Sequence, residues 1–195
     1  MQKGKLIVLY GINNLGKTTQ ATLLVERLNK EGHRAEYLKY PLYDLAPSGP
    51  LISGYLRGGN PHQFTPRESQ LLNVLNRTQF DARLRQKIAD GTLVVAEDYI
   101  GTGIAWGMGA GVDGSLLKKW NEHLVKEDLA FLFTGKRFTE ATEANHRHET
   151  DEALLARVEK AHEELAGENG WIFIAANRSI EEIHEDIRAT VGKLL

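Results

Sequence analysis

The feature that most constrains this chain is Gly11-Ile12-Asn13-Asn14-Leu15-Gly16-Lys17-Thr18. It lies between the apolar run Leu6-Ile7-Val8-Leu9-Tyr10 and a helical pattern beginning near Lys17. A strand-length apolar run, a glycine-bounded turn and a helix in that order leave few folds open. Backbone N–H groups of such a loop, with those of the helix it opens, form a cup for phosphate oxygens. In that arrangement the lysine reaches the β- and γ-phosphates of a nucleotide, and the Thr18 hydroxyl can ligand Mg²⁺. The plainer reading, a glycine turn that happens to carry Lys-Thr, does not account for the strand–loop–helix setting.

The rest of the chain repeats the alternation. Ala21, Leu24, Val25 and Leu28 recur at helical spacing up to a stop at Gly32, and Ala35–Tyr40 reads as a second strand broken by Pro41. A Gly-, Pro- and Asn-rich stretch from Tyr43 to Pro66 holds one short helical piece around Leu51–Leu56. Thr65-Pro66-Arg67-Glu68 is a helix start, with a capping residue, proline in the first turn and glutamate three residues on. That helix should run to Ile88. Leu93–Ala96 is a third strand, followed by a glycine-rich loop over 101–106 and a short helix around Leu116–Leu124. Leu129–Phe133 and Trp171–Ala175 are the remaining strands, with helices over about Asp151–Ala166 and after the Ser179-Ile180-Glu181-Glu182 cap. Strands alternating with helices imply right-handed crossovers and a parallel sheet covered on both faces.

Composition narrows the partners. The 195 residues carry 24 basic and 26 acidic side chains, so no broad charge favours nucleic acid or an anionic membrane. There are no cysteines, which excludes disulfides, thiolate metal sites and cysteine nucleophiles. No run is long enough to span a bilayer, and the apolar run near the N-terminus is too short for a signal peptide. The expectation is one cytoplasmic domain over 1–195, with neither nucleic acid nor membrane as a partner.

In an open α/β sheet, ligands bind outside the carboxyl ends of the strands. That edge collects the phosphate loop, Pro41, the pair Glu97-Asp98 and the pair Lys136-Arg137. A carboxylate there can hold Mg²⁺, directly or through water, or accept a proton from an attacking hydroxyl. The basic segment around Arg147 could supply a mobile cation for charge developing on a transferred phosphoryl group, although taken alone His-Arg-His-Glu reads as a solvated charge cluster. His146 and His148 alone do not make a zinc site, because no third ligand is placed by spacing. Gly101-Thr102-Gly103-Ile104-Ala105-Trp106 fails a dinucleotide fingerprint at Trp106 and reads as flexible backbone near a ligand. Spacing alone gives Arg77 no role.

Taken together these pieces resemble the thymidylate kinase family of nucleoside monophosphate kinases over nearly the whole chain. Gly11–Thr19 followed by Gln20 is similar to that family's GxxxxGKTTQ loop, Tyr40-Pro41 to its Phe-Pro after strand two, and Leu51–Leu56 to its LIxxYL helix. Leu71-Leu72 with Asn76-Arg77 resembles the helix presenting an arginine to the acceptor's phosphate. Glu97-Asp98-Tyr99 sits where the family has Asp-Arg-Tyr, and His146-Arg147-His148-Glu149 resembles the lid's Arg-Phe/Tyr-Glu. Ser179–Ile187 is similar to its last helix.

The resemblance implies a three-layer P-loop NTPase fold, a five-stranded parallel sheet flanked by helices, with a lid at about 136–150. It implies transfer of the ATP γ-phosphoryl group to dTMP, with Mg²⁺ at Thr18 and Glu97 and a homodimeric assembly. Lys17, Glu97 and Arg147 would be catalytic. ATP would meet Gly11, Asn13, Asn14, Leu15, Gly16, Lys17, Thr18, Thr19, Arg147 and Asn177, with adenine near Ala175–Arg178. The acceptor would meet Tyr40, Pro41, Asn73, Arg77, Asp98 and Tyr99.

The departures concentrate on the acceptor side. Asp98 replaces a phosphate-binding arginine, Asn73 a phenylalanine that stacks on thymine, Gly107 a glutamine near the base and Asn13 the loop's usual acid. Leu42-Tyr43-Asp44 stands where an arginine is expected after Pro41. An unpaired carboxylate beside a phosphate costs a few kcal/mol, so Arg83, Lys39 or a different substrate must compensate. Two other readings follow. A nucleoside kinase with Glu97 as base would need no arginine there. A GTP-dependent switch would use Asp98-x-x-Gly101, but Thr134-Gly135-Lys136-Arg137 offers no guanine-selecting Asn-Lys-x-Asp.

Overall fold

The central strand, β1 (Leu6–Tyr10), is buried at every residue, as an apolar run covered on both faces should be. The computed structural model describes residues 3–138 and 151–195. Around β1 lie β2 (Ala35–Lys39), β3 (Leu93–Glu97), β4 (Leu129–Thr134) and β5 (Ile172–Ala175), all parallel, in the order β2-β3-β1-β4-β5. β3 is also fully buried, whereas the outer strand β2 exposes alternate residues and carries polar side chains, and the outer strand β5 is apolar but buries only Ile174. Helices α1 (Lys17–Lys30), α2 (Ser48–Leu56), α3 (Pro66–Ala89), α4 (Ile100–Gly109), α5 (Gly114–Asn121) and α6 (Glu152–Asn169) fill the crossovers, and α7 (Ile180–Gly192) follows the last strand. This is the five-stranded parallel α/β architecture expected from the alternation.

Local start signals act where they stand. Thr65 and Ser179 each close a capping box, with Glu68 and Glu182 reaching back to the cap N–H groups at 2.8 and 3.0 Å. Asp113 and Asp151 cap α5 and α6 by accepting from Leu116 and Leu154.

The glycine-rich segment after β3 corrects the sequence reading, because it is the helix α4 and not a flexible loop. Glycine in a helix interior costs about 1 kcal/mol relative to alanine, so propensity argues against this helix. Packing decides otherwise. A Cβ on Gly101 would come within 2.3 Å of the Trp171 ring, and one on Gly109 within 2.5 Å of Val158 on α6. α4 is glycine-rich because its neighbours stand too close for anything larger. Among the described residues no helix is long and apolar enough to cross a membrane. The expected lid runs into residues outside the described set, and Arg147, His146 and His148 lie there.

Candidate active site

The loop between β1 and α1 wraps because its backbone takes conformations that L side chains avoid. Gly11 has φ 135°, Asn14 φ 64° and Gly16 φ 82°, and a Cβ on Gly11 would sit 2.7 Å from the Phe133 carbonyl oxygen. Gly16 caps α1 without a side-chain acceptor, and no acid occupies the first turn. The first N–H groups of α1 are thus left for an anion. Lys17 is buried, and its Nζ donates to the carbonyls of Gly11 (2.9 Å) and Ile12 (2.7 Å) and lies 3.6 Å from Asp98 Oδ1.

The sheet register brings the other groups beside it. Glu97 is paired with Leu9 on one side and Lys39 on the other. Its Oε2 accepts from the Thr18 hydroxyl at 2.7 Å and the Tyr37 hydroxyl at 2.6 Å, and its Oε1 lies 3.0 Å from Lys39 Nζ. Burial pushes the Glu97 carboxyl up, but Lys17 and Lys39 outweigh it and hold the group below the usual carboxylate range. Glu97 is therefore ionised at neutral pH.

Asp98 sits one residue beyond, in the left-handed region at φ 55°, with Thr102 donating to its Oδ1 at 3.0 Å. Burial pushes its carboxyl up to about 6, with Glu97 adding to the rise and Lys17 opposing it. A folded-state value above the unfolded one means that Asp98 favours the fold most below its unfolded value, and this contribution is lost as pH rises through about 6. Asp98→Asn keeps the acceptor for Thr102 and suits the left-handed backbone. At about pH 7 it is expected to be more stable than the parent by up to about 3 kcal/mol, an advantage that vanishes below about pH 4. Urea unfolding of both proteins at the two pH values measures this; a variant less stable at neutral pH would refute it.

Arg77 comes from the middle of α3 and is buried. Its Nε donates to Asn121 Oδ1 at 3.1 Å and its Nη1 to the Tyr99 carbonyl at 3.4 Å, while Nη2 has no partner. Burial lowers the guanidinium to about 10, and the groups that support its charge are the Tyr99, Tyr40 and Tyr10 hydroxyls, not carboxylates. Gly103 makes room for it, since a Cβ there would lie 2.7 Å from Nη2. The adjacent Asn76 clamps the chain after Pro41 to α3, accepting from the Leu42 N–H at 2.8 Å and donating to its carbonyl at 3.0 Å.

One cavity of about 400 Å³ joins these groups. Its walls include Asn13, Asn14, Leu15, Gly16, Lys17, Thr18 and Thr19 from the loop and α1, and Glu97 and Asp98 from the end of β3. Tyr40, Pro41, Asn73, Arg77 and Tyr99 from the expected acceptor set line it too. Two expected residues stand apart. Gly11 faces a second cavity behind the loop, and Asn177 clamps the segments after β4 and β5, accepting from the Lys136 N–H at 2.6 Å. Of the two basic residues expected to compensate Asp98, Lys39 lines the cavity, whereas Arg83 is exposed and does not. Tyr37 and Thr102 escaped the sequence reading. Tyr37 carried a faint signal, because it shares a face of β2 with Lys39 two residues on. The proposed γ-phosphate sensor fares differently: Ile100 and Gly101 are helical, and Gly101 is pressed beneath Trp171.

A parallel sheet with a glycine-shaped phosphate loop at its central strand, and a second cation across the same cavity, defines a P-loop nucleotide-binding protein of the phosphotransferase type. The comparisons with known proteins narrow this. The family model described as thymidylate kinase matches residues 9–187. The thymidylate kinase of Homo sapiens is 32% identical over 96% of this chain and 89% of its own length. That of Plasmodium falciparum is 30% identical over 99% and 92% respectively. The solved thymidylate kinase of Candida albicans shares the fold, with a TM-score of 0.80 over 98% of this chain and 92% of that one, at 20% identity. The chain belongs to the thymidylate kinase family, and it is a nucleoside monophosphate kinase.

Proposed function

We propose that the protein transfers the γ-phosphoryl group of ATP to dTMP, giving ADP and dTDP. The observation that carries this reading is Arg77, which lines the same cavity as Lys17 and the phosphate loop and whose buried guanidinium has an unpartnered Nη2. A buried cation with no carboxylate is costly alone and favourable once an anion arrives. Two separate cationic sites suit two phosphate-bearing substrates, ATP at Gly11–Thr19 and a monophosphate at Arg77. A free nucleoside would leave Arg77 without an anion.

In this reading Lys17, with Arg147 from the residues outside the described set, balances charge on the transferred group. Asn177 borders the adenine region. Tyr40, Pro41, Asn73, Asp98 and Tyr99 surround the acceptor, and Lys39 is the cation that offsets Asp98. The Thr18 hydroxyl and Glu97 carboxylate, 2.7 Å apart, form an oxygen donor pair that fits Mg²⁺, an ion bound through few protein oxygens with substrate phosphate and water. When bound, it would neutralise charge on the β- and γ-phosphates. The terminal phosphorus leaves the β–γ bridging oxygen of ATP and bonds to a phosphate oxygen of the acceptor.

The homodimer usual in the family belongs to the same reading, and the exposed Leu71 and Leu75, one turn apart on α3, give it an apolar face to bury. A coupled ATPase assay over dTMP, dUMP, other monophosphates and free nucleosides tests the function, alongside light scattering for a mass of two chains. Turnover should be stimulated most by dTMP. Stimulation by nucleosides alone would overturn the proposal.

A further inference from the structure

A close polar cluster surrounds Glu97, and it contains a lysine that the transfer step itself does not call for. Lys39 ends the outer strand β2, opposite Glu97 in register. Its ammonium lies 3.0 Å from Glu97 Oε1 and 3.5 Å from Thr18 Oγ1. Those two side chains are the oxygen pair assigned above to Mg²⁺. Both carboxylate oxygens already have partners, Oε2 the Thr18 and Tyr37 hydroxyls and Oε1 Lys39. A divalent cation joining this pair would meet the Lys39 ammonium at close range, and like charges so near one another repel.

We propose that Lys39 holds the metal's place in the nucleotide-free protein: its ammonium neutralises Glu97 and spans the Thr18–Glu97 pair until metal arrives with nucleotide. The physical need is clear. Glu97 is buried beside a second carboxylate, Asp98, whose Oδ1 lies 3.6 Å from Lys17 Nζ. When nucleotide enters, Lys17 is drawn toward its phosphates, and the two carboxylates would lose compensation if nothing replaced it. Lys39 is suited to a temporary role. Its side chain is 49% exposed, on a flexible stem at the edge of the sheet, so it can withdraw into solvent without unfolding anything. Like charges disfavour occupancy of one site, so its presence raises the threshold for metal binding without nucleotide.

This rests on the assignment of Mg²⁺ to Thr18 and Glu97, and the experiment separates the two. Mn²⁺ serves as the probe, its free concentration read by electron paramagnetic resonance, with and without ATP. Nucleotide-free Lys39→Met is expected to bind Mn²⁺ at least about tenfold more tightly than the parent, with Lys39→Gln intermediate and Lys39→Arg unchanged. Adding Glu97→Gln to Lys39→Met should abolish the gain. No gain in either neutral variant overturns the proposal, and so does a gain that survives Glu97→Gln. With ATP present, Thr18→Val should weaken Mn²⁺ binding by the parent protein. If it does not, the metal assignment itself fails. If it does while Lys39→Met shows no gain, only the role of Lys39 is lost.

Discussion

Lys17→Ala is expected to lower kcat about a thousandfold or more while the protein remains folded, because in the proposed function it removes the cation that meets charge on the transferred phosphoryl group. In the proposed function the lysine would reach the β- and γ-phosphates because the loop turns sharply, and the turn depends on the positive φ of Gly11, Asn14 and Gly16. In the free protein Lys17 is tied to two loop carbonyls and to Asp98, so its charge is already desolvated and positioned before substrate binds. Preorganisation of that kind makes a cation effective, since no solvent must be rearranged during the reaction. The same substitution strips Glu97 of one of the two lysines that hold its carboxyl low. The Glu97 carboxyl should therefore titrate higher in the variant than in the parent, a rise that carboxyl-resolved NMR titration can follow. Circular dichroism establishes the fold, and a coupled assay measures the loss. Unchanged turnover would remove the phosphate loop from the chemistry.

Much of the fold is readable from sequence wherever a rule is local. The apolar runs of β1, β3 and β4, the capping boxes at Thr65 and Ser179, and the glycine-lysine loop each act through residues within a few positions of one another. Reading failed where a distant neighbour decides. The segment over 100–109 looks like a loop because glycine opposes helix, and only the closeness of Trp171, Leu117 and Val158 makes glycine the residue that fits. Arg77 shows the same limit at the site. On spacing it is an ordinary helical arginine, and its meaning comes from burial against Asn121, Tyr99 and Gly103, all remote in sequence. Asp98 was visible as a reversal of sign. Its consequence was not, since the left-handed backbone turns the carboxyl toward Lys17, and burial then carries it to about 6. Lys39 became distinguishable from Arg83 only through the register that sets it opposite Glu97.

Arg77→Met separates binding from structure most sharply. The guanidinium is buried without a carboxylate, and its Nη2 is unsatisfied, so the folded protein bears a desolvation cost that substrate would relieve. Methionine fills similar volume, carries no charge and adapts to irregular space beside Gly103. Its removal of the hydrogen bonds to Asn121 and Tyr99 costs about 1 kcal/mol each, which the relieved desolvation offsets. The melting temperature is thus expected to hold or rise. Catalysis should move the other way: losing a buried charge-assisted contact to the acceptor's phosphate costs about 2–5 kcal/mol, a fall of roughly 30- to 5,000-fold in kcat/KM for dTMP. The loss should appear mainly as a raised KM for the acceptor, with the KM for ATP little changed, because Lys17 and the loop are untouched. Thermal denaturation and steady-state kinetics on one preparation check both halves. A variant that melts several degrees lower while keeping its affinity for dTMP would make Arg77 a core residue held in place by Asn121, and the acceptor's phosphate would then have to be met by another cation that lines the cavity, Lys39 or Arg57.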